Sequence, residues 1–265
     1  MRRLRTALVI FMAWLAALSC SNDFKDLSNP NAQLAILQLA ENYLTGGNCE
    51  RALEVLQPLL QAQYVNYDSR ILEASAYACR GGLNFPKLAA ALAQVATTDI
   101  WSAIVASNHS ASNTDGHLSA LVAATTSLRT TVTPAYPPGP LEASFRSADA
   151  NSYMVFVSAN IIGTVISPLG AANSTNGKRT RALTCAASCT VEDRCRVQVA
   201  ISNIADSLAF VSAGAAIDKV SAAISTACGG APCPSNLDYT VCTGDAVLQL
   251  QGEVLINQIE SMWSI

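Results

Sequence analysis

Nine cysteines carry the chemistry that this 265-residue sequence constrains most strongly. Cys20 follows a basic start and a short apolar run, which is the pattern of a secretory signal. The remaining cysteines form an even set, and an even set in an exported chain is typical of disulfide bonds. These eight are Cys49, Cys79, Cys185, Cys189, Cys195, Cys228, Cys233 and Cys242. A metal or cluster site is the weaker interpretation, because His109 and His117 lie near no cysteine and no Cys-x-x-Cys pair occurs. We expect no metal and no cofactor.

Residues 17–20, Ala-Leu-Ser-Cys, resemble the lipobox of bacterial lipoproteins. Ala17 stands where that family usually has leucine. The resemblance implies a signal peptide over residues 1–19 and a lipid-bearing N-terminus at Cys20, with palmitate among its acyl chains. Ser21 resembles the residue that directs such proteins to the outer membrane. An ordinary cleaved signal and an uncleaved anchor are the alternatives, although the apolar run has only about a dozen residues and a spanning helix needs about 20.

Composition limits the function classes. Without residues 1–19 the chain has 13 basic and 19 acidic residues, a net charge of about −6. This balance argues against nucleic acid as a partner, because nucleic-acid binding needs a basic face. Charged residues make up only 13% of the chain. A surface kept soluble by uncharged polar groups fits an extracytoplasmic protein of one or two domains.

The segment from Ala32 to about Val95 has apolar residues at spacings of three and four, which predicts helices. Residues 46–47, Gly-Gly, break the first helix, and Asn48 is a plausible cap for the next. Pro58 would kink that second helix unless it falls in a tolerant turn. The pattern also repeats after 34 residues: Ala40, Tyr43 and Gly47 recur as Ala74, Tyr77 and Gly81.

This period and these residues resemble the tetratricopeptide repeat. The first unit follows the family's positions closely, at Ile36, Leu39, Ala40, Tyr43, Gly47, Ala52, Leu56 and Leu59. The second departs from it, because Arg70 and Glu73 occupy places that are usually apolar. The resemblance implies stacked helical hairpins, and such a stack would bring Cys49 and Cys79 together. A generic pair of helical hairpins is the alternative.

The sequence divides into a tether over residues 20–31, a tetratricopeptide-like region over 32–132, a Pro-rich connection over 133–147 and a cysteine-rich helical region over 148–265. We predict a helix over residues 118–128, with Asp115 as a possible cap. A second helix is predicted over residues 148–166 and is expected to end at residues 167–168, Ser-Pro. A last helix over 245–262 is expected to pack its apolar residues inward, namely Val247, Leu250, Val254, Leu255, Ile259 and Trp263.

Six cysteines flank the helical run over residues 196–227, three before it and three after it. One straight helix would hold the two groups about 50 Å apart, whereas bonded cysteines need α-carbons within about 7 Å. Three cysteines cannot all pair among themselves, so at least one bond must cross between the groups if Cys49 pairs with Cys79. We therefore predict that the run folds back near residues 212–214 as a hairpin whose open end is closed by disulfides.

No nucleophile motif, phosphate-binding loop or carboxylate pair indicates an enzyme. His109, Asp115 and His117 lie in a polar stretch and are expected to be solvated, as is the basic cluster of Lys178, Arg179 and Arg181, for which anionic lipid heads are the alternative.

The fold class predicted is all-α: a tetratricopeptide-like stack followed by disulfide-linked helices. The resemblance implies a protein-binding scaffold or assembly factor of the cell envelope, held at the outer membrane by the lipid on Cys20. A small-ligand binder associated with a transporter and a structural or adhesive surface protein are alternatives. By family geometry the binding groove would be lined by Leu34, Leu37, Glu41, Leu44, Asp68, Ile71, Ser75 and Ala78.

Overall fold

A computed structural model describes residues 26–61, 64–96, 99–107, 115–130, 143–182, 185–211, 214–229 and 233–265. The predicted signal peptide, Cys20, His109 and the prolines of residues 133–140 lie outside these ranges. Within them all regular secondary structure is helical, and disulfides link the C-terminal helices. The all-α prediction with disulfide-linked C-terminal helices is therefore confirmed. The helices are α1 (Pro30–Thr45), α2 (Cys49–Leu56), α3 (Tyr67–Arg80), α4 (Phe85–Gln94), α5 (Ile100–Ser107), α6 (Asp115–Arg129), α7 (Ala148–Leu169), α8 (Cys185–Ser188), α9 (Val191–Leu208), α10 (Ala215–Ala227), α11 (Tyr239–Gly244) and α12 (Ala246–Met262).

Each of the first four helices begins after an asparagine. The side-chain oxygen of each asparagine accepts a hydrogen bond from a backbone N–H of the first helical turn, which otherwise has no partner within the helix. These caps are Asn29, Asn48, Asn66 and Asn84. The cap predicted at Asn48 is thus present, and the same chemistry sets the start of three further helices.

Two Gly-Gly pairs end α1 and α3 in the same way. Gly47 and Gly82 have φ of 73° and 82°, the left-handed region that glycine adopts without strain. The backbone N–H after each pair donates to the carbonyl five residues earlier, from Asn48 to Tyr43 and from Leu83 to Ala78. The two helix ends are therefore related by 35 residues, one more than the 34-residue spacing of the tyrosines.

Both prolines that were expected to disturb helices lie at helix ends. Helix α2 stops at Leu56, and Pro58 belongs to the 3-10 turn Gln57–Leu60, so it terminates the helix rather than kinking it. Helix α7 was predicted to end before Ser167 but continues through Pro168 to Leu169. Its last carbonyls are satisfied by Arg181, which donates to the oxygens of Leu169 and Pro168 at 2.9 and 3.1 Å.

The core is built around α7. Its residues Met154, Val155, Ile162 and Ile166 are fully buried, and the helix packs against α6, α5 and, most extensively, α9. The main apolar cluster includes residues from both sides of the Pro-rich connection, such as Leu121 in α6 and Ile201 in α9. Residues of the two predicted regions thus share one core.

Helices α1, α2 and α3 pack in sequence, but α3 and α4 do not form the second hairpin that a tetratricopeptide stack requires. The principal partner of α3 is α6, whereas α4 packs on α5 and α10 and hardly touches α3. Gly81 allows the close approach of α3 to α6, because a Cβ there would lie 2.5 Å from Cγ of Leu121. The departures from the repeat pattern in the second unit therefore coincide with a different packing.

Four disulfides cross-link the fold. Cys49 and Cys79 are bonded, joining the start of α2 to the end of α3. Cys195 and Cys242 form the bond that crosses between the two C-terminal groups. The other two bonds are local, Cys185–Cys189 and Cys228–Cys233.

The predicted hairpin needs one correction. The run does break, since α9 ends at Leu208 and α10 begins at Ala215. However, the crossing disulfide attaches the start of α9 to α11 and not to the end of α10. Helix α10 packs against both α4 and α9, and α11 packs on α9 beside Cys195.

The last helix also differs from its prediction. Leu255, Ile259 and Trp263 are buried as expected, but Val247, Leu250 and Val254 are 65%, 60% and 53% exposed. Helix α12 packs on α9 through the face that contains Gly252, where a Cβ would lie 2.4 Å from the backbone oxygen of Arg194. That close helix contact turns the other three aliphatic residues to solvent.

Candidate functional sites

The eight residues predicted to line a groove do not form one open surface. On α1, Leu34 and Glu41 are exposed, while Leu37 and Leu44 are half-buried. Of the four predicted residues on α3, only Asp68 is exposed. Ile71 packs against the main core, and Ala78 is fully buried within it. Helix α6 is the principal partner of α3, and Ala78 is buried in the described fold.

Ser75, another predicted groove residue, is hydrogen-bonded to Tyr153 of the central helix α7. Burial raises the pKa of the Tyr153 phenol, and the bond from Ser75 opposes this only in part. The Tyr153 ring stacks on Phe85, whose ring also meets Phe156 edge-on. Ser75 therefore links α3 to the central helix.

An uncharged stripe runs along the outer face of α12. It consists of exposed residues at helical spacing, namely Val247, Leu250, Gln251, Val254, Asn257, Gln258 and Ser261, and we call it the α12 stripe. The two glutamates of α12 lie to its sides and are paired: Glu253 with Arg194 at 3.1 Å and Glu260 with Arg179 at 3.2 Å. The sequence contains a signal for this stripe, because α12 has more apolar residues than one buried helix face can hold.

Arg129, at the end of α6, is the first of two buried arginines that attach to α9. Its Nε donates to Oδ1 of Asn203 at 3.1 Å, and its Nη2 donates to the carbonyl of Leu237. Its Nη1 lies 3.7 Å from a carboxylate oxygen of Asp238. Burial lowers the pKa of Arg129, while the nearby carboxylates of Asp238 and Asp206 oppose the shift.

Arg146 is the second buried arginine. Its Nε donates to Oδ1 of Asn151 at 2.9 Å, and its Nη2 donates to the hydroxyl of Ser207 in α9 at 3.2 Å. Burial lowers the pKa of Arg146 to about 10, and the positive charge of Arg129 adds to this effect. Sequence reasoning missed both arginines, because the partners that attach them to distant parts of the chain, Asn203, Leu237 and Ser207, lie 61 to 108 residues away.

A small cavity of about 40 Å³ lies beside Arg129, between α6, α9 and the start of α11. Its polar lining comes from three segments of the chain: Thr125, Thr126, Arg129, Arg196, Asn203, Asp238 and Tyr239. Val122, Ile161, Val199 and Ala200 form its apolar wall. The described residues therefore bring two arginines, an asparagine, an aspartate and a tyrosine to one semi-enclosed space.

The remaining candidate groups have structural roles. Of the basic cluster, Arg179 donates to the backbone oxygen of Trp263 and pairs with Glu260, and Arg181 caps α7. Its side chains are thus largely engaged. All eight cysteines after Cys20 are in disulfides. In the part of the chain that the structure describes, no group of three or more His, Cys, Asp or Glu side chains is placed to hold a metal ion.

The fold and its cysteine chemistry define an all-helical protein cross-linked by four disulfides. No protein-family model, curated protein or solved structure matches the chain. Among the described helices, α7 is long and apolar enough to cross a membrane. However, 67% of its most apolar window is buried inside the fold, and that burial is typical of a core helix.

Proposed function

We propose that this protein is a lipid-anchored scaffold of the bacterial cell envelope, which binds an envelope protein through the α12 stripe. The observation that carries the proposal is the stripe itself, which exposes three aliphatic side chains on consecutive turns of one helix. The tetratricopeptide-like pairing of α1 with α2 is part of the framework in this proposal, and the binding surface lies at the opposite end of the chain.

Export is supported by the four disulfides. Such bonds form and persist in oxidising compartments and are rare in the cytosol. The basic and apolar residues before Cys20 agree with this, because they have the form of a lipoprotein signal. A lipid on Cys20 would hold the protein at the membrane, and Ser21 favours the outer membrane as its destination.

Protein binding is supported by the chemistry of the α12 stripe. Three aliphatic side chains are more than half exposed on consecutive turns, and no charged residue interrupts them. A contiguous exposed apolar surface of this kind marks interaction sites on soluble proteins. The occupant that fits is an amphipathic helix with an uncharged apolar face, since a straight helical ridge packs between the ridges of another helix. A charged partner surface would lose its hydration here and find no opposite charge.

The cavity beside Arg129 is too small to enclose a whole small molecule. Pockets that enclose whole small molecules hold about 300–1,000 Å³, whereas this cavity holds about 40 Å³.

The proposal is tested by photo-crosslinking in intact bacteria that produce the protein. A photoreactive residue at Leu250 is compared with one at Leu34, an equally exposed leucine on α1. The expected result is a defined partner captured from Leu250 and not from Leu34. The purified partner should then bind at least tenfold more weakly to the Leu250→Asp/Val254→Asp variant, with Leu34→Asp as the matched control.

Capture from Leu34 alone would place the binding surface on α1 and overturn the α12 proposal. Capture from neither position would overturn the scaffold proposal as a whole. The anchor is tested separately by mass spectrometry of the N-terminal peptide and by membrane fractionation. Wild type should carry acyl chains on Cys20 and sediment with the outer membrane, while Cys20→Ser should do neither.

A further inference from the structure

We propose that the Cys49–Cys79 disulfide is a site of thiol–disulfide exchange, which a protein dithiol reduces and which controls how firmly α1 and α2 are attached to the fold. The bond joins the start of α2 to the end of α3. None of the residues around it belongs to α12, so the proposal does not depend on the α12 stripe.

The first observation is that this bond lies at the surface. Cys49 and Cys79 are both half-buried, and both line an open depression of about 460 Å³. The rest of the lining consists of Gly47, Asn48, Glu50, Arg80, Gly116 and His117. Exchange requires a thiolate to reach a sulfur atom of the disulfide, and a depression of this size admits the cysteine side chain of a partner.

The charges beside the disulfide include an ion pair. Nε of Arg80 lies 3.1 Å from Oε1 of Glu50, and the two side chains are 50% and 63% exposed. Their charges offset each other, so this pair adds no net charge that would repel an approaching thiolate.

The other three disulfides are less suited to exchange. Cys195 and Cys242 are fully buried, and Cys185 is only 1% exposed. The cysteines of the Cys228–Cys233 bond are half-buried, but Cys228 directly follows the last residue of α10. The carbonyl groups at the end of a helix carry partial negative charge, which disfavours a thiolate there.

The second observation identifies the sulfur that leaves. Cys49 is the first residue of α2, and the first backbone bond of this helix runs from Ala52 to the carbonyl of Asn48. The N–H groups of Cys49 and Glu50 precede that bond, at the helix end where negative charge is favoured. The carbonyl of Gly47, 3.6 Å from Sγ of Cys49, opposes this only in part, because one carbonyl carries less partial charge than the helix end. A thiolate at a helix N-terminus is the better leaving group.

The exchange proceeds in two steps. A thiolate of the partner dithiol attacks Sγ of Cys79, a new S–S bond forms, and Sγ of Cys49 leaves with the electron pair. The second thiolate of the partner then attacks its own sulfur in the mixed disulfide, and Cys79 leaves as a thiolate. The protons lost by the partner's two thiols pass to the released thiolates. The bond in this protein is thereby reduced, and the partner dithiol is oxidised to a disulfide.

Reduction should loosen α1 and α2 without unfolding the core. These two helices pack mainly on each other and on α3. Ala52 and Leu53 of α2 form a small cluster with Ala76 of α3, separate from the main cluster, whose residues come from α3 and later helices. The disulfide is the covalent cross-link between α2 and α3.

The test measures the order in which the disulfides of the purified mature protein are reduced. The oxidised protein is incubated at neutral pH with reduced thioredoxin or with dithiothreitol, then alkylated and digested, and mass spectrometry quantifies the reduced cysteines. With both probes, Cys49 and Cys79 should be reduced at least tenfold faster than any other pair. Another pair reduced first, or all four bonds reduced at one rate, would overturn the proposal. Reduction by dithiothreitol but not by thioredoxin would overturn the assignment of a protein dithiol.

Two cap variants test the leaving sulfur. Asn48 and Asn84 cap α2 and α4, and aspartate can accept the same hydrogen bonds. Asn48→Asp places a negative charge beside Cys49 and should slow the reduction about threefold or more, because like charges repel. Asn84→Asp is the matched control, since α4 contains no cysteine, and its rate should equal that of wild type. Equal rates in the two variants would overturn the assignment of Cys49 as the leaving group.

Hydrogen exchange tests the consequence for the fold. In the Cys49→Ser/Cys79→Ser variant, as in reduced wild type, the amides of α1 and α2 should exchange at least tenfold faster, while those of α7 stay unchanged. Near-UV circular dichroism checks that the core is folded. Unchanged exchange in α1 and α2 would show that the bond does not control their attachment. Faster exchange in α7 as well would show that the whole fold depends on the bond, which also contradicts the proposal.

Discussion

Cys195 of α9 and Cys242 of α11 are bonded across 47 residues, with their α-carbons 5.6 Å apart and both side chains fully buried. With Leu237 they form a small apolar cluster separate from the main core. This bond attaches the segment that carries Asp238 and Tyr239 to α9. It therefore holds one wall of the arginine-lined cavity in place.

Removing this disulfide should cost more stability than removing a local one. Closing a loop of this length lowers the entropy of the unfolded chain by an amount worth about 4 kcal/mol, against about 2 kcal/mol for a five-residue loop. We expect the Cys195→Ala/Cys242→Ala variant to lose about twice as much free energy of unfolding as Cys228→Ala/Cys233→Ala, whose cysteines are five residues apart. Urea unfolding of the oxidised proteins measures this. Equal losses would contradict a loop-closure origin.

Gly177 lies where no other residue fits. Its φ is 67°, and a Cβ would lie 1.9 Å from the backbone oxygen of Ser102. Its carbonyl also accepts from Nε1 of Trp263 at 2.8 Å. We expect Gly177→Ala to lower the free energy of unfolding by more than about 3 kcal/mol, because neither backbone can move aside without disturbing the core.

Gly82 is the matched control for this substitution. Its φ of 82° is similar, but nothing lies within 4 Å of the position of a Cβ. Gly82→Ala should cost only the backbone strain, about 1 kcal/mol. Thermal unfolding followed by circular dichroism compares the two variants. If both lose the same amount, the contact with Ser102 carries no energy and φ alone matters.

Local chemistry explains what could be predicted from the sequence. A capping asparagine acts within three residues, so the start of α2 could be placed from Asn48. The disulfide that crosses between the C-terminal groups followed from counting cysteines and from the length of a helix. Pro168 was misjudged because the helix end it shares with Leu169 is stabilised by Arg181, whose position depends on a loop of the tertiary structure.

The positions of the candidate sites depend on how the helices pack against each other, and the sequence alone does not predict that packing. Leu250 and Leu255 are both apolar residues of α12, and only the contact of Gly252 with α9 decides which of them is buried. Likewise, nothing near Arg129 in the sequence indicates that its acceptor is Asn203, 74 residues away. In the same way, the sequence does not indicate that α3 packs mainly against α6, the contact in which Ala78 is buried.

Tyr153 should ionise at a higher pH than an exposed tyrosine. Burial raises its pKa above the ordinary value of 10, so the folded state keeps this proton at pH values where the unfolded state has lost it. Above pH 10 the unfolded state thus binds fewer protons, and stability falls as the pH rises. We expect Tyr153→Phe to remove this late step from the tyrosinate absorbance titration and to reduce the alkaline loss of stability.

If Tyr153→Phe left the late part of the titration unchanged, another tyrosine would be responsible. Tyr239 is then the group to replace, because its pKa is also raised, chiefly by desolvation.

Arg146 should stabilise the fold through its hydrogen bonds even though its buried charge is costly. Arg146→Met would leave Oδ1 of Asn151 and the hydroxyl of Ser207 without this donor inside the core, and breaking a buried charged contact costs about 3 kcal/mol. Arg51→Met is the control, since Arg51 is an exposed arginine paired with Glu54; it should cause no measurable change. Urea unfolding at neutral pH compares the two.

The pH dependence separates the charge of Arg146 from its hydrogen bonds. Its pKa of about 10 in the folded protein lies below the usual value for arginine, which exceeds 12. Between those values the unfolded state binds more protons, so the burial penalty of this group shrinks as the pH rises. The stability of the wild type relative to Arg146→Met should therefore increase above pH 10. A difference that stays constant from neutral pH to pH 11 would mean that Arg146 remains fully charged in the folded protein.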